Sequence, residues 1–480
     1  MHDLKVAGPR VAAGRLPSRG LLSRDSTLWP ALVALAFLGA ELTPALLRMP
    51  LGADEITYIA RTSVHASGVS LPPVHGQGAG LLAAPVTLFT MSLTIIRAWM
   101  SVLSAIGLFL SLMCWRRLRP MWVIALAGLI LGCLAISQNS GVQIYPDWWG
   151  GLATLALTGL FLHAVNGTAR GRVVLPLIAF VSMVIILMRP QNVVFLMGPV
   201  ILATLLVRPW RKMSVLIAMI VGCALGALEW IIGAELWFGG LSERIHLAGQ
   251  EPPSLKLWFS LGTQLKVLNG PWYCIPPKGC TAWAAPAESP WWLAFLALAI
   301  LGLCVNWLRS TKSSAVLAAA TAFWIAALYV LLVPFGAPRY IIPSFALMAI
   351  LSADAIAWMV TEARWRKTGI AFACLFLVSG IVSQRIVLQR EAAQQTAGRQ
   401  YEAVANKLIK EGVKPPCVLV SPSAAYYVGC SAPWTGMRVP DFLARTPEGL
   451  AGWVRLSLRP AAVWVPVNSP LISKLGGKNP

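Results

Sequence analysis

Residues 51–68 read LGADEITYIARTSVHASG, and they follow the apolar run LWPALVALAFLGAELTPALLR at positions 28–48. That run is long enough to cross a bilayer as a helix. Asp54 and Glu55 therefore stand side by side where the predicted first span ends. The chain has only 18 acidic residues among 480, so such a pair is unusual here. Two explanations fit, a cap at the start of a helix or a functional site at the membrane surface.

The composition indicates a membrane protein. Of the residues, 57% are hydrophobic and 12% are charged, whereas a soluble domain has about 25% charged residues. Apolar runs of about 20 residues recur along the chain, and they are continuous rather than alternating, which favours helices over a β-barrel. We predict a polytopic α-helical membrane protein with about 11 transmembrane helices. The predicted spans are 28–48, 95–115, 121–137, 150–166, 173–188, 193–207, 214–237, 290–308, 315–334, 341–360 and 368–384.

These spans divide the chain into three parts. Residues 1–27 form a cytoplasmic tail, residues 28–384 form the membrane module with outer loops 49–94 and 238–289, and residues 385–480 form a small extracytoplasmic α/β domain. In the first outer loop we predict surface helices at 53–68 and 78–94. In the C-terminal domain we predict helices at 391–411 and near 440–458, and strands at 417–421 and 462–467.

The net charge of +21 is distributed in a way that argues against nucleic-acid binding. Lys and Arg cluster in short loops between spans, as in the cytoplasmic loops of membrane proteins. The tail and the five predicted cytoplasmic loops hold 18 of the 39 basic residues, and the three short outer loops hold two. This pattern predicts an integral protein of the plasma or inner membrane, with a cytoplasmic N-terminus and an extracytoplasmic C-terminus.

Four of the nine cysteines fall in the two large outer segments as the pairs Cys274/Cys280 and Cys417/Cys430. Because outer compartments are oxidising, we predict a disulfide in each pair. The acid Glu41 lies inside the first predicted span and needs a partner there, and we predict a structural ion pair with Arg97.

Charged side chains converge on the predicted outer face. The carboxylates there are Asp54, Glu55 and Asp147, and the arginines are Arg61, Arg189 and Arg339. A carboxylate can act as general base on an alcohol, and arginine guanidinium groups suit phosphate oxygens and the charge that grows on a leaving group. This mixture at the membrane edge fits a sugar donor whose polyprenyl tail lies in lipid and whose phosphate lies at the surface.

The same residues resemble the GT-C class of membrane glycosyltransferases, in particular protein O-mannosyltransferases and lipid A aminoarabinose transferases. The resemblance spans most of residues 28–384. It rests on the D-E-x-x-Y-x motif at Asp54–Ile59, on an acid in the second outer loop, Asp147, and on the R-Y-x-x-P motif at Arg339–Pro343.

The resemblance implies a role for each acid. Asp54 would deprotonate the acceptor hydroxyl, with inversion at the anomeric carbon. Glu55 would support this base or contact the sugar. Asp147 would orient the acceptor or help hold a divalent cation, the one cofactor we consider.

The remaining site residues follow from the same resemblance. The arginines expected to hold the donor phosphate are Arg61, Arg189 and Arg339. The residues expected to contact substrate are Tyr58 and Tyr340 of these motifs and, because it lies in the first outer loop rather than through the resemblance, His75. The expected partners are a polyprenyl-phosphate sugar, a glycan, lipid or protein acceptor and membrane lipid, and the transferred sugar is a hexose or a pentose.

Two other functions are compatible with the sequence. A transporter or lipid flippase would place its charged site near the middle of the membrane, whereas these charges cluster at one face. A glycan ligase or polymerase would use a diphosphate-linked donor instead of a monophosphate.

Overall fold

The computed structural model describes residues 26–63, 68–168, 170–250, 257–270, 272–274, 289–309, 312–364, 366–395, 399–433, 437–458 and 461–475. Most of these residues are helical. The helices of the first half are α1 Leu28–Glu41, α2 Pro44–Leu47, α3 Ala53–Ile59, α4 Gly78–Thr87, α5 Leu93–Met113, α6 Met121–Cys133, α7 Ala135–Val142, α8 Pro146–Asn166, α9 Gly171–Met188, α10 Asn192–Phe195 and α11 Gly198–Leu206. Those of the second half are α12 Met213–Trp237, α13 Leu241–Gln250, α14 Leu261–Val267, α15 Ser289–Trp307, α16 Lys312–Leu332, α17 Ile342–Thr361, α18 Arg366–Gln395, α19 Arg399–Lys410, α20 Pro422–Val428, α21 Val439–Leu443 and α22 Pro470–Leu475.

Eight helices of the described chain are long and apolar enough to cross a membrane, and they match eight of the eleven predicted spans. They are α5, α8, α9, α12, α15, α16, α17 and α18. The two most buried, α8 and α17, lie inside the bundle, and the others surround them. The chain is therefore an integral membrane protein with a helical bundle.

The other three predicted spans are shorter or broken. The first run ends as a helix at Glu41, because the chain turns there and Pro44 begins α2. Residues 193–207 divide into α10 and α11, with Pro199 in the first turn of the second helix. The helix α4, predicted to lie on the surface, has 10 residues and is too short to cross.

The third of these predicted spans, 121–137, is broken by a bend of 79° between α6 and α7. Leu134 is extended at the break, and its neighbours find new hydrogen-bond partners. The Ala135 amide donates to Gln384 Oε1 at 3.0 Å, and Gln138 Nε2 donates to the Gly132 carbonyl at 3.0 Å. Side chains therefore satisfy backbone groups that the break releases inside the bundle.

The C-terminal part contains a three-stranded antiparallel sheet in the order β1-β3-β2, with β1 at Val418–Leu419, β2 at Trp453–Ser457 and β3 at Ala462–Pro466. The helix predicted near 440–458 is wrong. Its first part is the short α21, and its last part is β2. This strand alternates buried and exposed side chains over residues 454–457 and pairs in register with β3.

Cys417 and Cys430 form a disulfide with Cα atoms 4.8 Å apart. Cys274 is also disulfide-bonded, and Cys280 lies outside the described residues.

The sheet region packs directly on the first outer loop. Tyr426 of α20 and Ser63, after α3, have their hydroxyl oxygens 3.0 Å apart. The Ser70 amide donates to the Ala432 carbonyl at 3.0 Å. The segment that carries Asp54 and Glu55 is therefore held between the helical bundle and the C-terminal sheet.

Candidate active site

Four charged side chains meet where several helices begin or end. Asp54 is in the first turn of α3, and Asp147 is in the first turn of α8. Arg189 follows the last residue of α9, and Arg339 lies in the 3-10 turn Pro338–Ile341 before α17. Since α8 and α9 are consecutive and antiparallel, the start of one and the end of the other lie at the same end of the bundle.

Arg339 links the two acids. Its Nη2 donates to Asp54 Oδ2 at 2.9 Å, and its Nε lies 3.4 Å from Asp147 Oδ2. Arg189 Nη1 lies 3.3 Å from Asp147 Oδ1. Asp54 exposes 41% of its side chain, but Asp147 exposes only 5%. The cluster thus has one carboxylate that solvent or a substrate can reach and one that orders the arginines.

The arginines keep unused donors. Among the described residues, Arg189 Nε is buried without a hydrogen-bond partner, and Arg339 Nε faces Asp147 Oδ2 at 3.4 Å without forming a hydrogen bond. Leaving such atoms unpaired costs about 1–3 kcal/mol each. The free guanidinium donors therefore fit an anionic ligand with several oxygens, such as a phosphate.

Aromatic rings enclose these arginines. The Arg339 guanidinium lies 4.4 Å from the centre of the Tyr145 ring and 5.4 Å from that of Tyr340. The Arg189 guanidinium lies 4.8 Å from the Tyr340 ring, which stacks on Tyr329 at 5.4 Å. These contacts fix the orientation of both arginines before any ligand binds.

Glu55 has different surroundings from its neighbour. Its side chain is fully buried and forms an ion pair with Arg97, with Arg97 Nη2 donating to Glu55 Oε2 at 2.8 Å. The two carboxylate oxygens also accept from the Gly52 amide at 2.9 Å and the Ile144 amide at 2.8 Å. Glu55 therefore ties the start of α3 to the segment before α8.

Arg97 makes further bonds, and they correct one prediction. It donates to the carbonyls of Met49, Pro50 and Val142 as well as to Glu55. The predicted Glu41–Arg97 pair is therefore wrong: every donor direction of Arg97 is used by the outer-loop segments, and Glu41 lies instead beside Ser104.

Tyr58 and His75 form the wall next to Asp54. Their rings stack with centres 5.0 Å apart. Burial and the charge of the nearby Arg189 lower the pKa of His75 to about 3, although the charge of Asp54 opposes the shift. His75 is therefore neutral at physiological pH. Burial raises the pKa of the Tyr58 phenol, so this hydroxyl stays protonated.

Arg61 lies apart from the other two predicted phosphate ligands. Its guanidinium stacks 3.7 Å from the centre of the Trp237 ring. Burial lowers the pKa of Arg61 to about 10, and the charge of Glu229 opposes this shift. Glu229 Oε2 accepts from the Gln77 amide at 3.0 Å. The structure thus brings Asp54, Asp147, Arg189 and Arg339 together and places Arg61 beside a separate acid on α12.

Sequence reasoning missed Arg244. Its Nε donates to the Pro73 carbonyl at 3.0 Å, and its Nη2 donates to the His75 carbonyl at 2.8 Å. The guanidinium lies 4.4 Å from the Trp230 ring, and the Trp230 indole also donates to Pro73. Arg244 and Trp230 hold the loop that presents His75. No motif marks Arg244, because its partners lie about 170 positions earlier in the chain.

Within the described part of the chain, no group of three His, Cys, Asp or Glu side chains is arranged to hold a metal ion. Of the three carboxylates at the site, Asp54 and Asp147 contact Arg339, and Glu55 contacts Arg97. The donor set therefore does not fit a cation held by all three carboxylates.

Comparisons with known proteins place this geometry in a known fold. No family model matches the sequence, and no curated protein matches it. Among solved structures, ArnT from Cupriavidus metallidurans bound to undecaprenyl phosphate aligns with a TM-score of 0.60 and 14% identity, over 88% of this chain and 89% of that one. The apo form of ArnT aligns with a TM-score of 0.52 and 13% identity, over 84% of each chain.

The archaeal oligosaccharyltransferase AglB from Archaeoglobus fulgidus, in complex with an inhibitory peptide and a dolichol-phosphate, aligns with a TM-score of 0.50 and 12% identity. That alignment covers 81% of this chain and 58% of AglB. At these identities the likeness concerns the fold. The resemblance read from the sequence is confirmed at that level: the chain has the fold of the GT-C membrane glycosyltransferases.

Proposed function

We propose that this protein is an inverting glycosyltransferase that moves a sugar from a polyprenyl-phosphate donor to an acceptor hydroxyl on the outer face of the membrane. One observation carries the proposal: Asp54, a partly exposed carboxylate, is bonded to Arg339, which belongs to a cluster of two arginines with unused donors. The proposed base is thus hydrogen-bonded to an arginine of the proposed phosphate site. The neighbours bound to undecaprenyl phosphate and dolichol-phosphate support a lipid-linked donor.

The reaction is one displacement. The acceptor oxygen bonds to the anomeric carbon while its proton passes to Asp54, and the bond between that carbon and the phosphate oxygen breaks. The electron pair of that bond goes to the phosphate, which leaves as polyprenyl phosphate. Because Asp54 Oδ2 faces Arg339, Oδ1 is the oxygen that takes the proton. A single displacement inverts the anomeric configuration.

The electrostatics favour these roles. Burial alone would raise the pKa of Asp54, but the charge of Arg339, its hydrogen bond to Asp54 and the charge of Arg189 together lower it. Asp54 is therefore ionised at neutral pH and can accept a proton. Arg189 and Arg339 stabilise the charge that develops on the departing phosphate without having to reorient.

The other residues support this centre in the proposed mechanism. Glu55 positions α3 through Arg97 rather than taking part in proton transfer. Asp147 orders Arg189 and Arg339, and Tyr340 packs against both. Tyr58 and neutral His75 contact the substrate beside Asp54. Arg61 stays a predicted phosphate ligand, at a site separate from the first two arginines.

No step in this mechanism passes through a divalent cation, which remains a prediction from the sequence resemblance. The acceptor remains a glycan, a lipid or a protein, and the transferred sugar a hexose or a pentose. The cytoplasmic N-terminus and the extracytoplasmic C-terminus belong to the proposal as well.

Replacement of the base tests the proposal. We expect Asp54→Asn to lower the rate of transfer from a polyprenyl-phosphate sugar by about 10²–10⁴-fold, because the acceptor loses its general base. Transfer is measured with purified protein in liposomes, using labelled donors. The matched control is Asp441→Asn, which neutralises an exposed acid that pairs with Arg438, three residues earlier. Full activity of Asp54→Asn, with normal insertion and melting temperature, would show that the base assignment is wrong.

A further inference from the structure

A cavity of about 270 Å³ lies beside the arginine cluster. The bent helix α7 forms one side, the end of α18 forms another, and Trp272 and Tyr273 close a third. Arg339 and Tyr145 form the wall toward the active site. Pockets for drug-sized ligands measure about 300–1,000 Å³, so this cavity is large enough for one ring.

The cavity is lined by neutral polar groups with unused bonding capacity. Among the described residues, Asn139 Oδ1, Ser140 Oγ and Trp272 Nε1 are buried without a hydrogen-bond partner, and the first two side chains belong to residues no more than 4% exposed. Buried polar atoms are normally paired. Three such atoms on residues that line one cavity fit a ligand that both donates and accepts hydrogen bonds.

A network of amides and one acid supports these groups. Asn139 Nδ2 donates to Gln143 Oε1 at 2.9 Å, and Gln143 Nε2 donates to Gln395 Oε1 at 3.0 Å. Glu391 Oε1 accepts from the Trp272 amide at 3.0 Å. The network holds these side chains in place, so the cavity is shaped before a ligand enters.

The lining of the cavity favours a neutral polar ligand over a second phosphate. Glu391 is an acid, and Arg339 already faces two carboxylates. An anion inside the cavity would meet the Glu391 carboxylate, whereas a ring with several hydroxyl groups can donate to carboxylate and amide oxygens and accept from the amides and the indole. Trp272 and Tyr273 add aromatic surface against which the C–H groups of a sugar can pack.

We infer that this cavity binds a single sugar ring, the one carried by the donor. The inference rests on the proposed function for the identity of the donor, but the sugar affinity follows from the cavity itself. Its wall includes Arg339, which is hydrogen-bonded to Asp54, so the anomeric carbon of a ring inside it can lie between the phosphate site and the base. A donor whose phosphate contacts Arg339 would therefore place its sugar here.

Direct binding is tested with simple glycosides. Methyl pentosides and methyl hexosides are added to the purified full chain in detergent, and saturation-transfer NMR detects contact. We expect transfer to at least one glycoside, and at least a threefold loss in Glu391→Gln and Gln395→Ala, because one hydrogen bond is worth about 0.5–1.5 kcal/mol. Gln389→Ala, an exposed residue on the same helix, is the matched control and should keep the signal. Equal signals in all four proteins, or none from any glycoside, would overturn the inference.

A second measurement separates donor from acceptor. In the liposome assay we expect Gln395→Ala to raise the KM for the polyprenyl-phosphate sugar about three- to tenfold. Competition by undecaprenyl phosphate, which has no sugar, should stay unchanged. A rise in the acceptor KM alone would overturn the assignment to the donor. If no polyprenyl-phosphate sugar is a substrate, the proposed function fails, but glycoside binding that depends on Gln395 still stands by itself.

Discussion

At the scale of single residues, two adjacent acids do different work. Asp54 exposes 41% of its side chain and Glu55 exposes none. Neighbouring residues on a helix point about 100° apart, so one faces the arginine cluster and the other faces the bundle. The sequence predicts that both acids belong to the site. Their different roles depend on which arginine each carboxylate pairs with in the folded chain.

Neutralising Glu55 should affect folding more than chemistry. Glu55→Gln leaves Arg97 as an uncompensated buried charge, which costs about 3–5 kcal/mol. We expect a clear fall in the melting temperature of the detergent-purified protein, whereas Asp54→Asn should melt close to the wild type. Glu243→Gln is the control, since its pair with Arg445 is exposed. A normal melting temperature for Glu55→Gln would contradict the structural role.

The pH dependence should report the charge of Arg339. Asp54 acts as a base only when ionised, so transfer falls as the pH drops through its pKa. Because Arg339 contributes to lowering that pKa, the fall in transfer rate at low pH, the acid limb of the profile, should have its midpoint below the ordinary Asp pKa of about 3.9 in the wild type.

Removal of the charge, in Arg339→Gln, should raise the pKa of Asp54 and move the acid limb to higher pH, in addition to slowing transfer. Arg438→Gln, at an exposed pair, should leave the limb where it is. The rate is measured from pH 3 to pH 8 (roughly one unit below the ordinary Asp pKa to well above it). An acid limb that does not move in Arg339→Gln would show that this arginine does not control the base.

At the scale of elements, α9 and α12 determine where Arg189 lies. Gly222 and Gly226 of α12 face the backbone of α9 closely, with the Ala179 and Met183 carbonyls as the nearest atoms. Small residues at such spacing allow helices in membranes to approach. Since Arg189 follows the last residue of α9 directly, the position of this helix sets the position of the guanidinium.

A methyl group at Gly222 should therefore disturb both packing and activity. In Gly222→Ala the new Cβ would overlap the Ala179 carbonyl and lie 2.8 Å from Ser182 Cβ. We expect a loss of about 1–3 kcal/mol in stability, seen as a lower melting temperature, together with slower transfer. Gly39→Ala in α1 is the matched control, because nothing lies within 4 Å of its added Cβ. Equal behaviour of the two variants would contradict this role of α12.

The bend between α6 and α7 shows why the sequence predicts spans better than breaks. Residues 121–137 form a continuous apolar run, and no proline marks the bend. At the break, the Ala135 amide donates to Gln384, a residue about 250 positions later. This contact is invisible to local hydrophobicity, yet the bend brings α7 to the cavity beside Arg339.

At the scale of the whole molecule, the basic clusters and the disulfide both indicate which end of the helical bundle faces the cytoplasm and which faces outward. The basic clusters at the ends of α5, α8 and α11 are predicted to face the cytoplasm. The carboxylate–arginine cluster lies at the opposite ends of these helical segments, and the Cys417–Cys430 disulfide lies in the C-terminal part that packs near it. Disulfides persist in oxidising compartments, so the active site should face outward.

Labelling of introduced cysteines tests this orientation. In a chain whose five free cysteines are replaced, Ser473→Cys should react with a membrane-impermeant maleimide in intact cells, and Asn166→Cys should react only after permeabilisation. Both positions are exposed, so access rather than burial decides the result. Labelling of Asn166→Cys in intact cells, with Ser473→Cys protected, would invert the proposed topology.

Hydrophobic length and charge are local properties, so the membrane class, eight of the spans and the charged residues of the outer segments can be predicted from the residues alone. Which charges pair depends on the packing of the folded chain. Glu55 with Arg97, Asp54 with Arg339, and Asp147 with Arg189 join segments from 42 to 285 positions apart. Such pairings follow from how helices pack, since burial forces each charge to find whichever partner the bundle brings near. That packing also places Arg244 behind His75 and the polar cavity beside Arg339.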